Sequence, residues 1–186
     1  MHDPVPVFVI CGPTAVGKGT VVKALKAEYP QLEVSVSATT RPPRPGEVDG
    51  RDYYFVDEDQ FARMRERGEL LESAVVHGAH SYGTPRGPVE QSLAEGKTVL
   101  LEIDLAGARQ VRQTLPEARF IFLLPPSWEE LERRLIGRGT EGPEERSRRL
   151  ETARVELDAA PEFDVCVIND KLDETVKELA EIMGLN

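Results

Sequence analysis

The sequence contains little cysteine, no long apolar stretch and no excess of positive charge. Only two of its 186 residues are cysteines, Cys11 and Cys166, and each lies inside a strand-like apolar run. We therefore expect buried, reduced thiols rather than a disulfide framework or a metal site. No apolar run approaches the roughly 20 residues that a membrane helix requires, and the first residues lack the basic segment of a signal peptide. These absences predict a cytoplasmic protein without a membrane partner.

The charged residues are unevenly distributed. The formal net charge of −10 argues against a broad nucleic-acid surface, because contacts with a phosphate backbone require clustered cations. Arginines are nevertheless concentrated in two segments, residues 41–51 and 133–149. In an acidic protein, two local arginine clusters predict a small anionic ligand held in a pocket, with no nucleic-acid partner.

Short apolar runs alternate with helical patterns along the chain. The four runs of buried-strand length are residues 7–11, 98–103, 120–124 and 165–168. This alternation predicts an α/β fold in which helices cover both faces of a central parallel sheet. Ser127, with Glu130 three residues later, has the pattern of a helix N-cap, and Asp173 is expected to cap the last helix.

Two segments interrupt this alternation within what we expect to be a single domain. Residues 35–84 are polar, rich in turn-forming residues and strand-like, which predicts a small lobe set on the main sheet. Residues 137–149 contain almost no apolar side chains, which predicts a mobile, arginine-rich lid. The core would then consist of residues 1–34, 85–136 and 150–186.

A glycine-rich segment, CGPTAVGKGT at residues 11–20, follows the first strand directly. Between a buried strand and a helix, such a loop can wrap its backbone N–H groups around phosphate oxygens, and the helix dipole favours the negative charge. Lys18 would reach the β and γ phosphates of a nucleotide. The alternative, a tight turn with a solvated lysine, explains the spacing less well. The predicted ATP-binding residues of this segment are Gly12, Pro13, Thr14, Ala15, Val16, Gly17, Lys18, Gly19 and Thr20.

Gly19 departs from the usual pattern of such loops. Switch-type nucleoside triphosphatases have a hydroxyl directly after the lysine, and that hydroxyl binds Mg²⁺. Because Gly19 has no side chain, we expect Mg²⁺ to be held mainly by nucleotide phosphates and water, with no dedicated metal ligands from the protein. Thr20 can still donate a hydrogen bond to a phosphate. This arrangement resembles that of nucleotide kinases.

Five segments together resemble the guanylate kinase family, in the order that the family has them. They are GPTAVGKGT, SVSATTRPPRPGEVDGRDYYF, LEIDLAG, GRGTE and VIND. The resemblance implies a three-layer P-loop kinase fold with a central parallel sheet, a small GMP-binding lobe and a mobile lid. It also implies a transferase of purine nucleotide metabolism, which phosphorylates GMP to GDP with ATP as donor and Mg²⁺ as cofactor.

The resemblance also implies which residues bind GMP. The phosphate would be held by two arginines and two tyrosines, the donors of guanine by two carboxylates, and the rest of the base by two hydroxyls. Guanidinium forks and phenol groups suit a dianionic phosphate. Surface arginines in a proline-rich turn are the alternative. The residues are Arg41, Arg44, Tyr53 and Tyr82 for the phosphate, Glu72 and Asp104 for the guanine donors, and Ser37 and Thr84 for the hydroxyl contacts.

For the transfer step, the resemblance assigns catalytic roles to Lys18, Arg134, Arg138 and Arg149, and places Asn169 near the adenine of ATP. Phosphoryl transfer needs in-line positioning and charges that neutralise the oxygens, without a covalent protein intermediate. Closure of the lid would exclude water and limit wasteful hydrolysis of ATP.

Two other readings are open at this point. A sugar-phosphate kinase would keep the glycine loop but would lack the acceptors for guanine, so Glu72 and Asp104 disfavour it. A catalytically inactive module that binds phosphopeptides usually has a degraded glycine loop, whereas Lys18 and the lid arginines are present here. The oligomeric state, monomer or homodimer, is not determined by the sequence.

Overall fold

The computed structural model describes residues 6–76, 78–137 and 142–186. The strands are β1 (Val7–Cys11), β2 (Glu33–Val34), β3 (Ala38–Thr39), β4 (Tyr54–Phe55), β5 (Leu70–Val76), β6 (His80–Pro85), β7 (Val99–Glu102), β8 (Arg119–Leu124) and β9 (Val165–Ile168). The α-helices are α1 (Lys18–Glu28), α2 (Glu58–Glu66), α3 (Arg86–Ala94), α4 (Leu105–Thr114), α5 (Trp128–Ile136), α6 (Pro143–Asp158) and α7 (Leu172–Met183). No helix within these ranges is long and apolar enough to cross a membrane.

The main sheet has five strands in the order β2-β7-β1-β8-β9, and all neighbours are parallel. Every residue of β1 is buried because helices cover both faces of the sheet. Val7 and Val9 belong to the core on the side of α3 and α4, whereas Phe8 and Ile10 belong to the core on the side of α1 and α7. The predicted α/β fold with a central parallel sheet is confirmed.

A second sheet, in the order β4-β3-β6-β5, is formed by residues 38–85. Ala38, Phe61 and Leu70 make a small apolar cluster beneath it. The next residue, Leu71, packs instead into the main core on the side of α4. The strand β5 is paired within the smaller sheet along its whole length, and its first two residues contact different clusters: Leu70 the small cluster and Leu71 the main core.

Side-chain caps mark the starts of α2 and α5. The carboxylate of Asp57 accepts from the Gln60 N–H at 2.7 Å, and the hydroxyl of Ser127 accepts from the Glu130 N–H at 3.1 Å, as predicted. The prediction for Asp173 was wrong, because α7 already begins at Leu172 and has Lys171 at its N-cap. Asp173 lies in the first turn, where its charge still favours the helix dipole.

The two cysteines lie in different surroundings. Cys11 is buried, as predicted, and burial raises the pKa of its thiol to about 11, although the nearby Lys18 opposes that rise. Cys166 is exposed, so the prediction of a buried thiol was wrong there. It lies on the edge strand β9, where Val167 faces the core and Cys166 and Ile168 point to the opposite, uncovered side. Both thiols are free.

Of the segment predicted as a lid, the structure describes residue 137 and residues 142–149. Pro143 is the first residue of α6, so residues 143–149 are helical and continue into a helix that packs on α5. Arg138 lies outside the described residues.

Candidate active site

The glycine-rich loop joins β1 to α1, and Lys18 is the first residue of that helix. Residues 12–19 line a pocket of about 370 Å³ together with Asp104 and Glu156. Three backbone features shape the loop: Ala15 and Gly17 have φ angles of 69° and 93°, and the Val16 N–H donates to the Pro13 carbonyl. Thr20 is exposed and follows the loop rather than lining the pocket.

Close packing restricts two glycines of this loop, and only Gly17 also has a left-handed backbone conformation. A Cβ on Gly12 would lie 2.9 Å from Val16 Cγ1 and 3.1 Å from the Leu123 carbonyl oxygen. A Cβ on Gly17 would lie 2.9 Å from Asn169 Nδ2, in a left-handed backbone conformation that side chains disfavour. Both positions therefore exclude larger residues.

Lys18 and two further predicted residues make hydrogen bonds at the loop. The Lys18 ammonium donates to the Ile103 carbonyl at 2.9 Å, at the end of β7. Arg134 and Asn169 both donate to the Val16 carbonyl, at 3.3 and 2.8 Å. Asn169 is buried, so its side chain holds the loop from the protein interior.

The helix α6 lies beside the loop. Thr14, Arg148 and Arg149 line a second pocket of about 570 Å³ between the loop and this helix. Two turns further along α6, Glu156 Oε1 accepts hydrogen bonds from the N–H and the hydroxyl of Thr14, at 3.3 and 3.2 Å. Glu156 was not predicted as a site residue.

On the smaller sheet, Arg41 and the two predicted tyrosines form one cluster. The guanidinium carbon of Arg41 lies 5.2 Å from the centre of the Tyr53 ring, and the Tyr53 and Tyr82 rings are 6.0 Å apart. Hydrogen bonds raise the pKa of Arg41 above its usual range: the bond to Glu47 has the largest effect, and those to Tyr82 and Tyr53 have smaller ones. The pairing of β3 with β6 puts Tyr82 opposite Thr39, and Tyr53 contacts both Arg41 and Tyr82.

Glu47 holds Arg41 in place, and it too was not predicted. Its two carboxylate oxygens accept from Arg41 NH1 and NH2 at 2.9 and 3.0 Å, and one of them also accepts from the Arg44 N–H at 2.7 Å. These bonds lower the pKa of Glu47 to about 2, and the bond from Arg41 has the largest effect. Arg44 is exposed and joins the cluster through its backbone. Ser37, one of the predicted hydroxyl contacts, directly precedes β3, and its backbone carbonyl accepts from the Tyr54 N–H at 2.9 Å.

The two predicted guanine acceptors converge from different elements. Glu72 Oε1 on β5 accepts from the Thr84 hydroxyl at 2.8 Å, across a directly opposed pair of β5 and β6. Asp104 is the N-cap of α4 and accepts from the Gly107 N–H at 2.8 Å. Burial, and to a lesser extent the Asp104 charge, raise the pKa of Glu72. Both carboxylates therefore have partners that orient them.

The sequence carried a signal for Glu47 but none for Glu156. Glu47 follows Arg44 by three residues in a turn, which is the spacing at which a carboxylate side chain accepts from a preceding backbone N–H. Glu156 is 142 residues from Thr14, so only the packing of α6 brings the two together.

Comparison with known proteins agrees with this arrangement. The family model described as guanylate kinase matches residues 5–185. The guanylate kinase of Cutibacterium acnes is 60% identical over 182 residues, covering 98% of this chain and 92% of that protein. The guanylate kinase of Nocardia farcinica is 57% identical over 175 residues, covering 94% and 91%.

Solved structures give the same result. The crystal structure of guanylate kinase from Anaplasma phagocytophilum matches with a TM-score of 0.72 at 33% identity, over 98% of this chain and 86% of that one. A sugar kinase from Janibacter matches with a TM-score of 0.52 at 15% identity, over 98% and 96%, and shows the fold alone. The chain therefore belongs to the guanylate kinase family.

Proposed function

We propose that the protein transfers the γ-phosphoryl group of ATP to GMP, which gives ADP and GDP. The observation that carries the proposal is the position of Asp104. Its side chain borders the glycine-loop pocket and also converges with Glu72 at Gly107. A nucleotide phosphate in the loop and a guanine between the carboxylates would therefore be neighbours, as phosphoryl transfer between them requires.

The acceptor site, in this proposal, binds GMP at both ends. Arg41 presents a planar fork of N–H donors that suits a phosphate, and Glu47 orients this fork. Tyr53 and Tyr82 add phenol hydroxyls, and Arg44 supplies a further cation from the same turn. At the other end, Glu72, Asp104, Thr84 and Ser37 contact guanine, whose N1–H and N2 amino group are both donors.

The donor site binds ATP through the loop. Backbone N–H groups of the glycine loop, in which Pro13 has none to offer, and the Lys18 ammonium surround the β and γ phosphates, while Thr20 donates to a phosphate. Arg134 and Arg149 approach from α5 and α6, and Asn169 lies toward the adenine. These cations neutralise charge on the oxygens during an in-line displacement, which is the main catalytic contribution that such a reaction needs. Arg138 has the same predicted role.

The residues beside Gly19 fit a Mg²⁺ ion that is bound mainly by nucleotide and water. Glu102 Oε1 lies 3.7 Å from the position of a Cβ on Gly19, and the Asp104 carboxylate borders the same pocket. Carboxylate oxygens, which are the atoms that Mg²⁺ and its water prefer, therefore lie near the loop. Within the described parts of the chain, no group of three His, Cys, Asp or Glu side chains could hold a metal ion by itself. When bound, Mg²⁺ would neutralise charge at the phosphates, and the Glu102 and Asp104 carboxylates would accept hydrogen bonds from water in this pocket.

In this proposal the chain consists of a core (1–34, 85–136 and 150–186), a GMP-binding lobe (35–84) and a lid (137–149). Closure of the lobe and lid over the two nucleotides would exclude water from the transfer. A role in purine nucleotide metabolism in the cytoplasm follows from the same activity.

The test is an assay of ADP formation with ATP, Mg²⁺ and one of GMP, AMP, UMP or CMP. We expect rapid turnover with GMP alone. Lys18→Met should reduce turnover by about 10²-fold or more, because a charge at the transferring phosphate is lost. Lys23→Met, which removes an exposed lysine from the same helix, is the matched control and should leave turnover unchanged. A folded protein that binds GMP but turns over none of the four nucleotides would favour the binding-module reading instead.

A further inference from the structure

The carboxylates proposed to recognise guanine lie on different elements, and two residues of α4 join those elements. We propose that Gly107 and Gln110 are positioning residues that set the spacing between Glu72 and Asp104, and thereby the selectivity for guanine. The inference rests on the proposed function, since it concerns how that base is selected.

Gln110 makes two hydrogen bonds to the backbone of Ser73, the residue after Glu72. Its Oε1 accepts from the Ser73 N–H at 3.0 Å, and its Nε2 donates to the Ser73 carbonyl at 3.0 Å. The strand β5 is at the edge of the smaller sheet, so the side-chain amide supplies bonds that a neighbouring strand would otherwise make. Gln110 therefore fixes the strand that carries Glu72 against the helix that follows Asp104.

The same face of α4 extends this contact in both directions. Thr114, four residues after Gln110, donates from its hydroxyl to the Leu71 carbonyl at 2.7 Å. Gly107, three residues before Gln110, lies beside the Glu72 side chain. Residues spaced by three and four lie on one face of a helix. One helix face thus follows the edge of β5 from Leu71 to Ser73.

Gly107 provides the space in which the two carboxylates meet. A Cβ there would lie 3.1 Å from Asp104 Oδ1 and 3.1 Å from Glu72 Oε2, so these two oxygens can be no further apart than twice that distance. Gly107 is buried in a regular helix and has no left-handed backbone angle. Since glycine is less favourable than alanine in a helix, the need for space is the reason for glycine here.

Guanine offers two adjacent donors, the N1–H and the N2 amino group, to two converging carboxylates. Burial and the charge of Asp104 disfavour the ionised form of Glu72 in the absence of such donors, as the raised pKa of Glu72 indicates. A change in the spacing of the carboxylates should weaken contacts with both donors of guanine. Hypoxanthine lacks the amino group, so its binding should be weakened less by the same change in spacing.

The experiment compares kcat/KM for GMP and for IMP, whose base is hypoxanthine, in the wild type, Gly107→Ala and Gln110→Ala. Gly87→Ala is the control for a helical glycine, because nothing lies within 4 Å of its Cβ position. Gln113→Ala is the control for a glutamine, since Gln113 is exposed on the same helix. KM for ATP and the thermal unfolding midpoint are measured for each variant.

We expect Gly107→Ala and Gln110→Ala to raise KM for GMP about tenfold, and to reduce the ratio of kcat/KM for GMP over IMP at least about threefold. KM for ATP and both control variants should match the wild type. Folded variants that keep the wild-type ratio of GMP to IMP overturn the inference, and if Gly107→Ala does not fold, Gln110→Ala decides by the same ratio. A wild type without activity on GMP would refute the proposed function itself.

Discussion

Glu156 on α6 is hydrogen-bonded to Thr14 in the glycine loop, through both the backbone N–H and the hydroxyl of Thr14. A carboxylate thus uses one of the loop N–H groups that are suited to a phosphate. It also links the loop to the helix that carries Arg148 and Arg149. The negative charge of Glu156 borders the pocket proposed for ATP.

Glu156→Gln should therefore lower KM for ATP, by about two- to fivefold at low ionic strength and less at high salt. The amide oxygen of glutamine can still accept from Thr14, while the charge facing the phosphates is removed. Steady-state kinetics at two salt concentrations measure the effect. The control is Asp158→Asn, which removes an equal charge from an exposed residue of α6. It should leave KM for ATP unchanged. A higher KM in Glu156→Gln would instead mean that the charge is needed to hold the loop.

Glu72→Gln should stabilise the protein and impair its reaction with GMP. The folded state raises the pKa of Glu72, so the ionised carboxylate destabilises the folded protein at neutral pH, and this penalty disappears as the pH falls to the ordinary value near 4.5. We expect the unfolding midpoint of Glu72→Gln to exceed that of the wild type by about 1–3 °C at pH 8 and by less at pH 5.

The same variant should lose about 10²-fold or more in kcat/KM for GMP, because guanine loses an ionised acceptor. Thermal unfolding at the two pH values and kinetics with GMP measure the two effects. The control is Glu69→Gln, which changes an exposed residue one place before β5. A stability gain that does not depend on pH would contradict the assignment of the raised pKa.

Glu47→Gln should destabilise the protein and weaken GMP binding. The pKa of Glu47 is lowered to about 2 in the folded state, so its stabilising effect is complete above the ordinary value of 4.5 and is lost as the pH falls towards 2. The variant should be less stable than the wild type at pH 7, and this difference should shrink below pH 4.5. KM for GMP should rise about tenfold because Arg41 is no longer held for the phosphate.

Urea unfolding between pH 7 and pH 3.5 measures the change in stability. Glu66→Gln, on the exposed side of α2, serves as the control and should show no difference from the wild type at either pH. An equal loss of stability at both pH values would argue that Glu47 acts through packing rather than through its charge.

Gly83→Ala should destabilise the smaller sheet. A Cβ at Gly83 would lie 2.7 Å from the Glu72 carbonyl oxygen and 3.3 Å from side-chain atoms of Leu70 and Phe61. Backbone cannot move aside cheaply, so we expect a loss of about 1–3 kcal/mol in the free energy of unfolding, measured in urea. Gly87→Ala, where the added methyl meets nothing within 4 Å, should be neutral or slightly stabilising. Equal stability of the two variants would contradict the packing described here.

The sequence by itself determined the features that depend on contiguous residues. The buried strand β1, the glycine loop and the start of α1 at Lys18 follow one another along the chain, so local periodicity and spacing were enough to predict them. The cap at Ser127 was predictable for the same reason. Asp173 was misassigned because α7 begins without a side-chain cap: Lys171 is its N-cap, and the Lys171 carbonyl accepts the first helical bond from the Thr175 N–H.

The tertiary structure decided which distant side chains meet. Glu156 reaches Thr14, Gln110 reaches Ser73, and Glu72 meets Asp104 at Gly107 only because whole elements pack in one arrangement. Cys166 is exposed for the same kind of reason, since its strand became an edge. Local preferences are set by neighbours in the chain, whereas these contacts depend on the sum of packing over both sheets, which no single segment of the sequence encodes.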